Sequence, residues 1–493
     1  MDKIKAVKVN ETYIRLQCEK GIKYELRDYF TFAIPGAQFM PTVRSGAWDG
    51  KIRLFSIQTS LIYLGLIDYI KKFCEARGYE LEIDSEMYDE EISVAEAKKF
   101  CAHILKDWEH QIREHQLVAF THAMRKRRCI LLSPTASGKS LIIYLIARAM
   151  LYKKKKVVII VPSTTLVYQL QKDFADYKYT GDCRVITGGE DKEWKTNIDQ
   201  QITITTWQSI YKMPKQWFSQ FGAVVGDECH LFKSKSLTTI MEKLDGCAYR
   251  FGTTGTLDDT LTNKLVLTGL FGGVKKVTTS EQLMKDGHIA QLDIKCIVLG
   301  HTEDTRKRIN DLDYQGEKEL LVMMESRNRF IVNLAKSVKG NTLILYQFVE
   351  KHGKVLYNNL LEASDKEIYF ISGKIKPKDR EVIKQLIEAG KDVILVASYG
   401  CFSTGENVVN IENVIFGSPY KSRIKVLQSV GRGLRKGGGK THMNLYDIAD
   451  DAAYTTRTGR VKKNQTLDHF GERIKYYNSE KFNYKIYQVK LND

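Results

Sequence analysis

Short apolar runs rich in β-branched residues recur along most of this chain, with helical segments between them. This alternation limits the possible fold more than any other feature. From about residue 111 the runs are CILL (129–132), VVIIV (157–161), ITITT (202–206) and AVVG (223–226). A second series begins near 294: IKCIVLG, TLILY (342–346), IYFIS (368–372), VILVAS (393–398), NVIF (413–416) and MNLYDI (443–448). A strand apolar at every position is covered on both faces, whereas a strand with one wet face alternates. Fully apolar strands alternating with helices predict parallel sheets between helical layers. Two series predict two α/β units of similar size. The charged stretch 301–318 reads as a loop or insertion.

The first 90 residues have a different texture. KIKAVKVNETYIRLQCE, YELRDYFTFAI and GKIRLFS alternate apolar and polar residues, a strand-like pattern. A helix is expected over Leu66–Arg77, stopped by Gly78. Together these predict a small α+β domain. Residues 86–110 are acidic and helical in pattern, a connector. From 452 the chain is basic and helical, with nine Lys/Arg against four Asp/Glu. The expected partition is 1–90, 91–292, 293–451 and 452–493, which suits a chain of 493 residues. Seven Pro and 35 Gly argue against long disordered linkers, and no repeat of 20–50 residues is visible.

A net charge of +17 and a pI near 9.2 point to a polyanionic partner, nucleic acid before an anionic membrane. Simple solubility is the plain alternative. Nine Cys include no CxxC pair, so neither a zinc knuckle nor a disulfide framework is indicated. They read as small buried residues in a reducing compartment. MDKIKAVKVN has no apolar signal core, and no apolar run approaches the length of a membrane span. The expectation is a cytoplasmic protein with no membrane partner.

SPTASGKS (133–140) follows one apolar strand and precedes the amphipathic LIIYLIARAM. Strand, small-residue loop and helix are the context of a phosphate-binding loop. A helix N-terminus there aims backbone N–H groups at phosphate oxygens. Lys139 supplies charge for the β- and γ-phosphates, and the Ser140 hydroxyl suits Mg²⁺. Pro134, Thr135, Ala136, Ser137 and Gly138 form the cradle. GDECH (226–230) ends a later apolar strand. Asp227 there would hold Mg²⁺, and Glu228 would orient and deprotonate an attacking water.

These two motifs resemble motifs I and II of superfamily 2 helicases, DExH branch. The resemblance implies two tandem RecA-like parallel-sheet domains, with the small N-terminal α+β domain and a short basic helical C-terminal segment as additions. Ser133 and Ala136 stand where the family has Ala and Gly. If position 136 needs φ > 0, Ala bears strain that Gly would not. IREHQ (112–116) resembles the adenine-contacting Q-motif, through Gln116. VPSTTLVYQ (161–169) and TTWQS (205–209) resemble strand-contacting motifs and offer Ser163, Thr164, Thr206 and Gln208. Trp207 reads as stacking or buried. TTGT (253–256) stands at motif III; LYQFV (345–349) and ISG (371–373) resemble motifs IV and IVa. ASYGCFSTGEN (397–407) resembles motif V, with Ser403, Thr404 and Gly405. QSVGRGLRKGGGK (428–440) resembles motif VI. Its Gln428, Arg432 and Arg435 share one helical face. By resemblance the two arginines are catalytic fingers for ATP held between the two α/β units.

Longer stretches resemble the UvsW-type DNA helicases of T-even bacteriophages, over nearly the whole chain: YELRDYF (24–30), GAWDGKIRLF (46–55), LGLIDYIKKFCEARGY (64–79), KQWFSQFGAVVGDECH (215–230), VASYGCFSTG (396–405) and EKFNY (480–484). This likeness implies ATP-dependent, Mg²⁺-requiring remodelling of branched DNA: Holliday junctions, forks and R-loops, with RNA–DNA hybrids among the substrates. It implies a monomer in the host-cell cytoplasm, working with replication and recombination proteins such as a single-strand-binding protein. In residues 1–60 ten Lys/Arg face six Asp/Glu. Arg44, Trp48, Lys51 and Arg53 there combine stacking with phosphate neutralisation; alternatively Trp48 caps the small core. An RNA helicase, an ATP-gated strand-annealing clamp and the motor of a nuclease system stand as alternatives. No paired-acid nuclease signature flanks the motor.

Overall fold

The computed structural model describes residues 2–84, 87, 89–188, 199–257, 261–375, 377–403, 410–419, 434, 440–455 and 458–491. The chain divides into two compact units, Met1–Pro134 with Gly138–Thr278, and Thr135–Ser137 with Thr279–Asp493.

In the first unit, β1 (Lys3–Lys8), β2 (Tyr13–Gln17), β3 (Thr31–Ala33), β4 (Lys51–Arg53), β5 (Leu61–Tyr63) and β6 (Glu80–Ile83) belong to the N-terminal domain. Its sheet runs β5-β2-β1-β6, with β1 antiparallel to β2 and parallel to β6. The β3–β4 hairpin stands apart from it. The inward residues of the alternating strands, Ile4, Ala6, Ile14 and Leu16, meet Phe73 and Ile70 of the helix Ile67–Arg77. That helix ends as expected, on Gly78 at φ 69°. Tyr24–Tyr29 departs from the strand expectation: it completes the helix Lys20–Tyr29, which buries Ile22 and Leu26. Their i, i+4 spacing is helical, and the alternation that follows Tyr24 is too short to outweigh it.

The motor sheet of this unit contains β7 (Arg128–Leu132), β8 (Lys156–Val161), β9 (Cys183–Ile186), β10 (Ile202–Thr206), β11 (Phe221–Asp227), β12 (Tyr249–Thr254) and β13 (Val274–Lys276). The order is β13-β7-β12-β11-β8-β10-β9, parallel throughout. Val157–Val161 are all buried, as a strand packed on both faces requires. Each such side chain contributes roughly 1.5–3 kcal/mol. The connector becomes the helix Val94–Ile104, started by a Ser93–Glu96 capping box.

The N-terminal domain is fastened to the amino ends of β7 and β12. Arg250 donates to Thr12 Oγ1 (2.8 Å) and Leu244 O (2.6 Å), and Arg128 donates to Glu11 O and Oε2 (both 3.1 Å). Tyr13 and Tyr63 stack at 5.2 Å and both donate to Glu242 Oε1 at 2.8 Å. Gly65 and Gly269 allow the backbones to meet: a Cβ on Gly65 would lie 2.1 Å from Thr268 O, and one on Gly269 would lie 2.8 Å from the Tyr63 ring.

The second unit holds β14 (Gln291–Gly300), β15 (Thr342–Tyr346), β16 (Ile368–Ile371), β17 (Ile394–Ser398), β18 (Asn413–Phe416), β19 (His442–Asp451), the paired β20 (Tyr454–Thr455) and β21 (Val461–Lys462), and β22 (Asn483–Lys490). Its seven-stranded sheet runs β16-β17-β15-β18-β19-β14-β22, all parallel. Two findings differ from the sequence reading. The stretch 301–318 is helical, as Glu303–Asn310 and the start of Tyr314–Met323. Its polarity reflects one wet face, because within it Thr305, Ile309 and Glu317 are buried. The tail forms the expected helix, Gln465–Ser479, but then enters the sheet as β22 beside β14. Glu317 links the two segments. Its buried carboxylate accepts from Gln465 N (2.9 Å), Thr466 N (2.8 Å), Thr466 Oγ1 (2.6 Å) and Asn464 Nδ2 (2.8 Å), capping the tail helix. Among the described residues no helix is long and apolar enough to cross a membrane.

Candidate nucleotide and nucleic-acid site

The carboxyl ends of β7, β11 and β12 converge on the SPTASGKS loop. Ser133 N donates to Thr254 O (2.9 Å), tying the loop's start to β12. Ala136 has φ 67°, so the left-handed conformation is required where the family has Gly. The penalty for Ala is about 1–2 kcal/mol. Gly138, at φ 82°, is the N-cap of the helix Lys139–Tyr152. Lys139 Nζ lies over the loop, donating to Ser133 O (3.2 Å) and Pro134 O (3.3 Å). Gln116 is buried beside it. Its Oε1 accepts from Arg113 N (3.0 Å), and its Nε2 reaches Gly138 O (3.5 Å). Gln116, expected from sequence to contact adenine, therefore sits directly on the loop. Ser140 Oγ pairs with Tyr177 Oη at 3.0 Å.

Strand register sets the acidic pair. β11 and β12 are parallel neighbours with Asp227 opposite Thr253. Thr253 Oγ1 donates to Asp227 Oδ1 (2.8 Å). Glu228 leaves the strand at φ 49°, a conformation rare for a residue with Cβ, and its Oε2 lies 3.3 Å from both Thr254 Oγ1 and His230 Nδ1. His230 in turn lies 3.0 Å from Thr254 Oγ1. Burial and the adjacent Glu228 carboxylate raise the Asp227 pKa, against the pull of Lys139 and the Thr253 hydroxyl. A cationic ligand beside Asp227 would reverse that balance. Thr253, Thr254 and His230 thus orient both carboxylates. Sequence reading gave TTGT a place without a contact, and it missed Tyr177 altogether, since an aromatic residue near a helix end carries no signal of its own.

The residues expected from sequence to contact a strand fall at the carboxyl ends of β8 and β10. Ser163 is the N-cap of the helix Thr164–Asp176, accepting from Leu166 N (3.4 Å), and Thr164 is exposed at its start. Thr206 is buried with Oγ1 2.9 Å from Ser209 Oγ, while Gln208 is exposed. Trp207 is half-buried, edge-on to Tyr211 and packed against the core. On the N-terminal domain, Arg44, Lys51 and Arg53 are exposed around a half-exposed Trp48. Trp48 donates from Nε1 to Lys51 O (3.1 Å). Arg53 pairs with Asp49, and that contact holds the Asp49 carboxyl below its usual range. In the second unit Ser403 ends the helix Tyr399–Ser403. The Ser403 side chain and Thr404, Gly405, Gln428, Arg432 and Arg435 lie outside the described residues.

A phosphate loop beside an Asp-Glu-Cys-His strand end, followed by a second parallel α/β unit, defines the nucleotide-driven motors of the helicase class. Family profiles agree: residues 4–84 match the N-terminal domain of DNA helicase UvsW, 102–259 match the res subunit of type III restriction enzymes, and 326–437 match the helicase conserved C-terminal domain. The ATP-dependent DNA helicase uvsW of Enterobacteria phage T4 is 37% identical over 97% of this chain and 98% of its own length. The crystal structure of T4 UvsW superposes with a TM-score of 0.51 at 35% identity, covering 99% of both chains. A DNA 3'-5' translocase of Sulfurisphaera tokodaii is 25% identical over 74% of this chain and 86% of its own. The chain belongs to the UvsW family of ATP-dependent DNA helicases.

Proposed function

We propose that this helicase remodels branched DNA, such as four-way junctions, forks and R-loops, with the nucleotide loop and the threonine-held carboxylates driving the cycle. The observation that carries the chemistry is the pairing of Asp227 with Thr253 and of Glu228 with Thr254, at the strand ends beside the Lys139 loop. Glu228 is the base for the attacking water, and Lys139 neutralises the β- and γ-phosphates. Gln116, on Gly138, faces the adenine. Arg432 and Arg435 are assigned to the transition-state charge, a role worth roughly 10³–10⁵ in rate. Gln428 and Gly405 are assigned to the same nucleotide.

The donor set suits a hard divalent cation such as Mg²⁺: the Ser140 hydroxyl and the Asp227 carboxylate are oxygen ligands. Among the described residues no cluster of three or more His, Cys, Asp or Glu could hold a metal alone. That pattern fits an ion completed by phosphates and water. Mg²⁺ would neutralise phosphate charge there.

Ser163, Thr164, Thr206, Gln208, Ser403 and Thr404 are assigned to the nucleic-acid backbone, and Arg44, Trp48, Lys51 and Arg53 to the branch. The working partition is 1–90 for DNA contact, 91–292 and 293–451 for the two motor domains, and 452–493 as a brace. RNA–DNA hybrids and a single-strand-binding protein are further proposed partners, and the working form is a monomer in the cytoplasm. ATP turnover with single-stranded, duplex, forked and four-way DNA, beside Lys139→Ala, tests the reading. Turnover stimulated most by branched DNA and abolished in the variant is the expected result. Equal stimulation by linear duplex would overturn the branched-substrate assignment.

A further inference from the structure

We infer that Tyr177 is a positioning residue that sets the Ser140 hydroxyl for the nucleotide-bound cation. The inference rests on Ser140 being a cation ligand, as proposed above. A serine hydroxyl has one proton and two lone pairs. To bind a cation it must offer a lone pair and send its proton elsewhere. Tyr177 Oη, at 3.0 Å from Ser140 Oγ, is placed to receive that proton. In the opposite arrangement, with Tyr177 donating, one lone pair of Ser140 is taken. The tyrosine therefore makes the direction of the serine proton a two-state choice, and a cation selects the state in which Ser140 donates.

The phenol is held firmly. Its ring packs edge-on to Trp108 (5.3 Å) and against Tyr144 (5.3 Å). Tyr144 Oη reaches Tyr177 O (3.4 Å), and Tyr177 N donates to Asp173 O (2.9 Å), closing the helix that begins at Thr164. A phenylalanine would satisfy the packing equally well; only the hydroxyl reaches Ser140. Mg²⁺ demands near-ideal octahedral geometry, so the angle of a single protein hydroxyl matters.

Tyr177→Phe in the full chain tests this, with Mg²⁺ titrated against binding of a fluorescent ATP analogue. The Mg²⁺ midpoint should rise about 3–10-fold, the scale of one oriented hydrogen bond. The KM for the metal–nucleotide complex should rise with it, more than kcat falls. Tyr179→Phe, which removes a hydroxyl from the same aromatic cluster, should leave the midpoint in place. Equal midpoints in wild type and Tyr177→Phe, or an equal rise in Tyr179→Phe, overturn the inference. Ser140→Ala separates the two levels: if it does not shift the midpoint either, the assignment of Ser140 itself fails.

Discussion

Arg473→Leu is expected to destabilise the second unit far more than any surface change. Arg473, on the tail helix, and Asp447, on the central strand β19, have side-chain exposures of 2% and 0%. Arg473 Nε lies 3.1 and 2.9 Å from Asp447 Oδ1 and Oδ2, and Nη2 lies 2.8 Å from Oδ1. Tyr477 Oη donates to Oδ2 at 2.8 Å. Leucine removes every guanidinium bond and leaves a buried carboxylate on one phenol. Breaking a buried pair from one side costs about 3–5 kcal/mol. For a unit of this size each kcal/mol is worth roughly 2–4 °C, so its transition should fall by about 6–20 °C. Scanning calorimetry of the full chain reads this as one transition moving while that of the first unit stays. Arg473→Leu with Asp447→Asn should recover much of the loss, because the stranded charge is gone. A shift under about 2 °C, or a double variant less stable than the single, would refute the reasoning.

Three further outcomes are expected. Thr254→Val should lower kcat roughly 10–150-fold with ATP binding retained, since a hydrogen bond to a charged group is worth about 1.5–3 kcal/mol; steady-state ATPase assays with nucleotide titrations check it. Gly138→Ala should abolish nucleotide binding in a folded protein, because its Cβ would lie 2.2 Å from Gln116 Nε2 at φ 82°; circular dichroism beside labelled-nucleotide binding separates the two effects. Burial, with Arg327 nearby, pushes the buried His352 pKa down to about 3. The unfolded chain then binds the extra proton first, so this contribution to stability is intact above about pH 6.5 and is lost as pH falls toward 3. His352→Gln should flatten that part of the stability–pH curve measured by urea unfolding.

Four of the seven strands of the first motor sheet were legible because their β-branched apolar runs mark burial on two faces; β9, β12 and β13 were not, and in β12 the buried Arg250, Thr253 and Thr254 read as polar. Gly78 was legible because ending a helix at φ 69° needs a residue without Cβ. The loop, Asp227 and Glu228 were legible because phosphate and water chemistry fix residue types at close sequence spacing. What escaped was decided by tertiary packing. Glu317 looks like one more surface acid until the tail helix sets its N-terminus on it. β22 lies at the sheet edge with six of its eight residues exposed, so its pattern is too weak to announce a strand. Tyr177 meets Ser140 across 37 positions of sequence, a distance no motif spans.

The fastening of the N-terminal domain has a consequence for how this chain can be cut or recombined. Glu11, Thr12, Tyr13 and Tyr63 are partners of Arg128, Arg250 and Glu242, and Arg128 and Arg250 open the very strands that end at the nucleotide loop and at Thr253 and Thr254. The domain is therefore no detachable cassette. A version beginning at residue 91 would uncover two guanidinium groups and the Leu265 contact at the base of the ATPase sheet. A graft onto another motor would have to bring both halves of the joint. Trp48 and Lys139 belong to the same compact unit.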